Sequence, residues 1–97
     1  IKLGSPIRLF QQGKVIGISL KDTAIKTGDL LVAETANDSI PYVSGKIEEL
    51  QVDNVRYEEL PESSSEVDIA IRVPFKAKEN HIFFLIRSAK MNQRNGP

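Results

Sequence analysis

Three short stretches constrain this chain most: Gly13-Lys14-Val15, then Ile25-Lys26-Thr27-Gly28-Asp29-Leu30-Leu31, then Gly45-Lys46-Ile47-Glu48-Glu49-Leu50. In order they give a strand, a Gly-Asp turn, a second strand and a third strand opening on glycine. Glycine takes the positive φ of a tight reversal without steric cost, so successive strands can return alongside one another. Short strands joined in this way suit a small closed β-barrel, which has no unpaired edges. The expected fold is all-β, a single closed six-stranded β-barrel with backbone reversals at Gly28 and Gly45. The expected role is that of a binding module.

The hydrophobic pattern carries this along the chain. Ile7, Leu9, Val15, Ile16, Ile18 and Leu20 place strand formers over 7–20, with Gly13 and Gly17 spaced as at bends of a curved strand. Leu30-Leu31-Val32-Ala33 reads as an apolar strand, and Thr35 to Ser39 as a loop. Pro41 cannot donate to a ladder and marks a strand entry or edge, after which Tyr42 to Val52 reads as one long strand. Its alternation puts Val43, Gly45, Ile47, Glu49 and Gln51 on one side and Ser44, Lys46, Glu48, Leu50 and Val52 on the other. That alternation is imperfect, so a bulge is expected near Glu48 and Glu49.

Tyr57 to Ser65 is the most loop-like segment, with Pro61 and three serines stopping any helical turn. Val67, Ile69, Ile71 and Val73 then alternate cleanly with Glu66, Asp68, Ala70 and Arg72, a strand with its apolar set inward. Pro74 ends it. Ile82-Phe83-Phe84-Leu85-Ile86 is a continuous apolar run, expected in a strand covered on both faces. The expected core is Val15, Ile18, Leu30, Val32, Ile47, Leu50, Val67, Ile69, Ile71, Ile82, Phe84 and Ile86. Residues 1–11 read as a lead-in with a first strand, 12–87 as the barrel domain and 88–97 as a disordered tail.

Composition removes several function classes. Ninety-seven residues, 40% of them hydrophobic, bury one compact core and leave no room for a second lobe. Thirteen basic and thirteen acidic side chains cancel, so bulk charge offers no attraction to nucleic acid or an anionic membrane. Any such binding has to come from a local patch. The absence of cysteine rules out disulfides, thiolate zinc sites and cysteine nucleophiles, and it fits a cytoplasmic protein. No apolar run approaches the roughly 20 residues that cross a bilayer as a helix, and no membrane role is expected. The chain begins at Ile1, as expected of a processed product or a domain of something longer.

Catalytic chemistry finds little to work with, and the expectation is a protein that is not an enzyme and has no cofactor. His81 is the only histidine, and beside the apolar run it reads as a turn residue at a strand start. Serines 63 to 65 lack the glycine-flanked elbow of an activated nucleophile. Lys26-Thr27-Gly28-Asp29 lacks the glycine spacing of a phosphate loop. Glu48, Glu49, Asp53, Glu58, Glu59 and Glu62 suit a basic partner or a solvated face. They lack the alternate oxygen ligands around a glycine turn that calcium demands, so no metal is expected.

The order of these elements resembles the second domain of translational GTPases such as elongation factor Tu, and the small free-standing or appended relatives of that domain. The resemblance runs over about residues 12 to 87. It is carried by Gly13-Lys14-Val15, Ile25 to Asp29, Gly45 to Val52, the Glu58-Glu59 pair, Val67 to Val73 and Ile82 to Leu85. The chain departs from that pattern at Ser64-Ser65 and Asp68, where the family has a Gly-Asp and a small residue. It departs again at Asn80-His81, where a third Gly-Asp is usual and where Asn keeps the turn by tolerating positive φ. The resemblance implies a translation factor-like barrel that contacts RNA, the ribosome or a ribonucleoprotein.

Charge distribution supplies the candidate RNA-binding surface. From Glu48 to Asp68 eight acidic residues face only Arg56, whereas beyond Asp68 six basic residues face only Glu79. Arg72, Lys76, Lys78 and Arg87 can neutralise phosphates, with Phe75 offering a stacking surface. The alternative is solvated strand ends and a core Phe75. The competing function is a protein-interaction or substrate-positioning accessory domain of a larger enzyme.

Overall fold

Glycine and short polar turns break the apolar runs of this chain so often that no strand among the described residues exceeds six residues. A computed structural model describes residues 1–35 and 42–86. The strands among them are β1 Lys2–Gly4, β2 Arg8–Phe10, β3 Val15–Leu20, β4 Ile25–Lys26, β5 Leu30–Glu34 and β6 Tyr42–Lys46. They continue with β7 Glu49–Val52, β8 Val55–Tyr57, β9 Glu59–Leu60, β10 Val67–Arg72 and β11 Ile82–Ile86. All pairing is antiparallel.

The strands assemble into a four-stranded sheet ordered β1-β11-β5-β6, a five-stranded sheet ordered β2-β3-β10-β7-β8 and a small β4-β9 pair. The all-β class expected from the sequence is the one observed. The ladders differ from the expected six-stranded cylinder, because the described strands number eleven and none of the three sheets closes on itself.

Strand alternation sorts the five-stranded sheet into two faces. One cross-strand row, Leu9–Ile16–Ile71–Leu50–Tyr57, runs on the inner side. Ile16, Ile71 and Leu50 in it are fully buried, joined by Ile18, Leu20 and Ile69. From the other large sheet come Leu31, Ala33, Phe83 and Leu85. These side chains form one core cluster with Ile25, Ile47, Val73 and Ala77.

The bulge expected near Glu48 is a full break. The chain leaves β6, passes through Ile47 and Glu48, and enters β7 in the other sheet. This slip changes the parity of the buried positions, from Val43 and Ile47 to Leu50 and Val52, and so keeps apolar residues facing the core. The bend is sewn to the Gly28 turn. Gly28 N–H donates to Ile47 O at 2.9 Å, Ile47 N–H donates to Asp29 O at 2.9 Å, and Thr27 N–H donates to Glu58 O at 2.9 Å. Asp29 is buried, and its Oδ2 accepts the Lys26 N–H at 3.1 Å.

Several expectations need correction. Gly45 is not a reversal: it sits inside β6, where a Cβ would approach Pro74 Cγ to 2.5 Å, so glycine there serves close packing. The run 82–86 is not covered on both faces. Phe83 and Leu85 are buried, while Ile82 and Phe84 are half-buried and Ile86 is 51% exposed. The same phase error affects Leu30, Val32 and Val15, which are half-buried where Leu31, Ala33 and Ile16 fill the core. A run that is apolar at every position carries no phase, so only packing decides which half points inward. Asn80 is not among the positive-φ residues; the turn before β11 is instead tied by His81. Within 1–11, β1 joins β11 and β2 joins β3, so this lead-in is built into both large sheets. The expected tail 88–97 and Arg87 lie outside the described residues, as does Pro41.

Two glycines separate backbone freedom from packing. Gly28 has φ +90° with nothing within 4 Å of a built Cβ, whereas at Gly13, φ +87°, a Cβ would run into the Ala77 backbone. Gly28→Ala is expected to cost about 1–2 kcal/mol for left-handed backbone alone. Gly13→Ala adds overpacking of about 1–3 kcal/mol to the same strain. Urea denaturation of the two variants checks the order.

Candidate functional site: the outer face of the five-stranded sheet

The register that buries one face of the five-stranded sheet lays a second row across its outside: Arg8–Gly17–Ala70–Gln51–Arg56. Small residues at its centre and long ones at its ends make a trough. The main hollow has a volume of about 320 Å³, with Gly17 and Ala70 as floor. Ile7, Arg8 and Phe10 form one wall, and Gln51 with the Asp53-Asn54 turn forms the other. A Cβ on Gly17 would meet Phe10 Cε2 at 3.4 Å, so the phenyl ring lies over the glycine and keeps 42% of its surface exposed. Asp68 also lines this hollow.

A smaller hollow of about 70 Å³ shares Ala70 and Gln51 with the first and adds Gln11, Val15, Glu49 and Arg72. Here charges pair off. Glu49 Oε1 lies 3.4 Å from Arg56 Nη2 and 3.8 Å from Arg72 Nε, and its Oε2 accepts from Gln51 Nε2 at 2.6 Å. Arg72 Nη2 donates to Gln11 Oε1 at 3.1 Å. Gln11 and Gln12 have φ of 49° and 60°, and with Gly13 they make a left-handed turn at the rim. Left-handed backbone at two non-glycine residues costs about 1–2 kcal/mol each, and such strain concentrates where function needs a particular geometry.

Of the described side chains expected to bind RNA, only Arg72 lies in this trough. Lys76 is exposed, with its Cγ beside Gly13, so it flanks the left-handed turn that Arg72 also touches. Phe75 is half-buried, packs on the core and lies next to Gly45. Lys78 is exposed in the turn before β11. Arg8, Phe10 and Arg56 were not singled out in the sequence, since only register places them together. The Asp53-Asn54 turn did carry a signal: two residues with φ of 53° and 67° join β7 to β8, the favoured two-residue hairpin geometry.

The other candidates take structural roles. Every backbone N–H from Lys26 to Asp29 is spent inside the protein, on Asp29 Oδ2, Glu58 O, Ile47 O and Lys26 O, so this turn offers no cradle for phosphate. Ser63 Oγ accepts the Ser65 N–H at 3.2 Å. No group of three or more His, Asp or Glu suited to a metal occurs among the described residues. Nor does any described helix have the length and apolarity to cross a membrane.

His81 is buried away from the trough, at the start of β11. Its Nδ1 accepts the Lys78 N–H at 3.0 Å and its ring meets Phe83 edge-on at 5.9 Å. No family model matches this chain, and neither a curated protein nor a solved structure shows a significant match to it.

The trough thus combines an exposed ring, amide groups from Gln11, Gln51 and Asn54, carboxylates and guanidinium groups. That set can hold a flat, polar ligand. For His81, truncation to alanine is expected to destabilise by about 2 kcal/mol, from the orphaned Lys78 N–H and the lost contact with Phe83. Urea unfolding measures it.

Proposed function

We propose that this chain is a non-catalytic binding module of the kind resembled by the second domain of translational GTPases. Its sheets enclose a barrel-like core, and its outer five-stranded face engages single-stranded RNA or a ribonucleoprotein. The observation that carries the reading is the row with Arg8 and Arg56 at its ends and a bare Gly17–Ala70 floor beneath the exposed Phe10 ring. Such a surface suits a base stacked on phenylalanine with its backbone phosphates reaching arginine, the combination by which sheets bind single strands. The neutral overall balance confines the attraction to this face, so affinity rests on few phosphate contacts. Lys76, beside the left-handed turn, extends the basic rim. A cytoplasmic setting fits this role.

A second reading, an accessory domain that docks on other parts of a larger enzyme, draws on the opposite surface. On the outside of the four-stranded sheet Leu30 pairs with Ile86 and Val32 with Phe84, all half-buried or exposed, an apolar stripe suited to a protein neighbour.

Fluorescence anisotropy with a labelled single-stranded RNA across a salt series distinguishes the two. Binding that weakens with salt is expected, with Arg8→Ala and Arg56→Ala each lowering the log–log slope by roughly 0.7. Phe10→Ala is expected to cost about 1–3 kcal/mol of affinity. Glu49→Gln frees Arg72 and Arg56 and is expected to strengthen binding. No association at low salt, or affinity indifferent to Arg8, Phe10 and Arg56, refutes the RNA reading.

A further inference from the structure

We infer that an apolar cleft, which shares only Ile69 with the outer trough, is a docking site for a basic protein segment carrying one apolar anchor side chain. The cleft has a volume of about 210 Å³ and is lined chiefly by Leu20, Val52, Tyr57, Leu60, Val67 and Ile69. Leu20 and Ile69 are buried, but Val52, Leu60 and Val67 are half-buried, and Tyr57 on the outermost strand β8 is 40% exposed. The core therefore comes to the surface here. An apolar cavity of about 150 Å³ holds benzene, so this one has room for a phenyl or leucyl side chain. A single anchor in such a pocket is the usual centre of a protein interface.

Charge identifies the partner. Asp22, Glu58, Glu59, Glu62 and Glu66 are all exposed, and each adjoins in sequence a residue that lines the cleft. The Asp22 N–H also donates to Ser63 O at 2.8 Å, which draws that carboxylate's segment against the mouth. The cations similarly placed are Lys21 and Arg56, and Arg56 is held by Glu49 at 3.4 Å. Lys26 stands opposite Glu59 across the small sheet. The surplus is strongly negative around an apolar hole. Over a Debye length of about 8–10 Å, such a rim favours Lys and Arg on either side of the anchor and repels RNA.

The test is an NMR titration of the isotope-labelled full chain with three synthetic peptides: a short Lys/Arg-rich peptide with one central Phe, the same peptide with Ser for Phe, and an Asp/Glu-rich peptide with the same Phe. Only the first is expected to shift the signals of Val52, Leu60 and Val67 at low concentration, the other two binding at least roughly tenfold more weakly. The exposed triple variant Glu58→Gln, Glu59→Gln, Glu62→Gln is expected to weaken the first peptide by up to about tenfold while leaving the spectrum of the free protein unchanged elsewhere. Arg8→Ala leaves peptide binding intact. Several results overturn the inference: equal binding of the Ser peptide, no shifts from the Phe peptide at millimolar concentration, or shifts confined to other surfaces. So do the same shifts produced by self-association on concentrating the protein, or by a single-stranded RNA.

Discussion

The Gly28-Asp29 turn, with Asp29 buried, clamps the bend at Ile47, and the rest of the structure is organised around that clamp. Two backbone hydrogen bonds of 2.9 Å join the start of β5 to the point where the chain leaves one large sheet for the other. The Asp29 carboxylate sits in the core because the Lys26 N–H gives it a partner there, and burying such a group without one costs several kcal/mol. Thr27, bonded to Glu58 O, brings β4 and β9 against the same corner. The path of β7 follows from this corner, and with it the position of Leu50 inside and of Glu49 and Gln51 outside.

The five-stranded sheet does two jobs with one periodicity. Its inner row supplies Ile16, Ile71 and Leu50 to the core, and the residues between them form the trough. Gly17 and Ala70 leave that outer row without bulk at its centre, so a hollow forms where larger residues would fill it. The zero net charge of the chain hides a divided surface. Glu49 gathers Arg56 and Arg72 on the trough side, while the carboxylates around the apolar cleft make no ion pairs among the described residues.

Legibility in the sequence followed how local each feature is. Val67 to Val73 alternates without interruption, and of its expected inward set Ile69, Ile71 and Val73 are buried while Val67 is half-buried. The slip near Glu48 was visible because two incompatible alternations meet there. The run at 82–86 offered no such contrast, and Gly45 looked like a turn although it serves the approach of Pro74. For the site, Arg72 was legible as a basic residue on an outward position. Arg8 and Arg56, 48 positions apart in the numbering, become ends of one row only through three intervening strands.

Alternation, glycine placement and turn chemistry act over a few residues, and by themselves they determined that this chain is built of short antiparallel strands with a tight turn at Gly28. Tertiary structure alone decided which half of each continuous apolar run faces inward and which strands became neighbours. It also decided that the trough and the apolar cleft have Ile69 alone in common. The reason is that strand register and sheet order depend on packing and hydrogen bonds between segments far apart in the chain, and no local pattern encodes them.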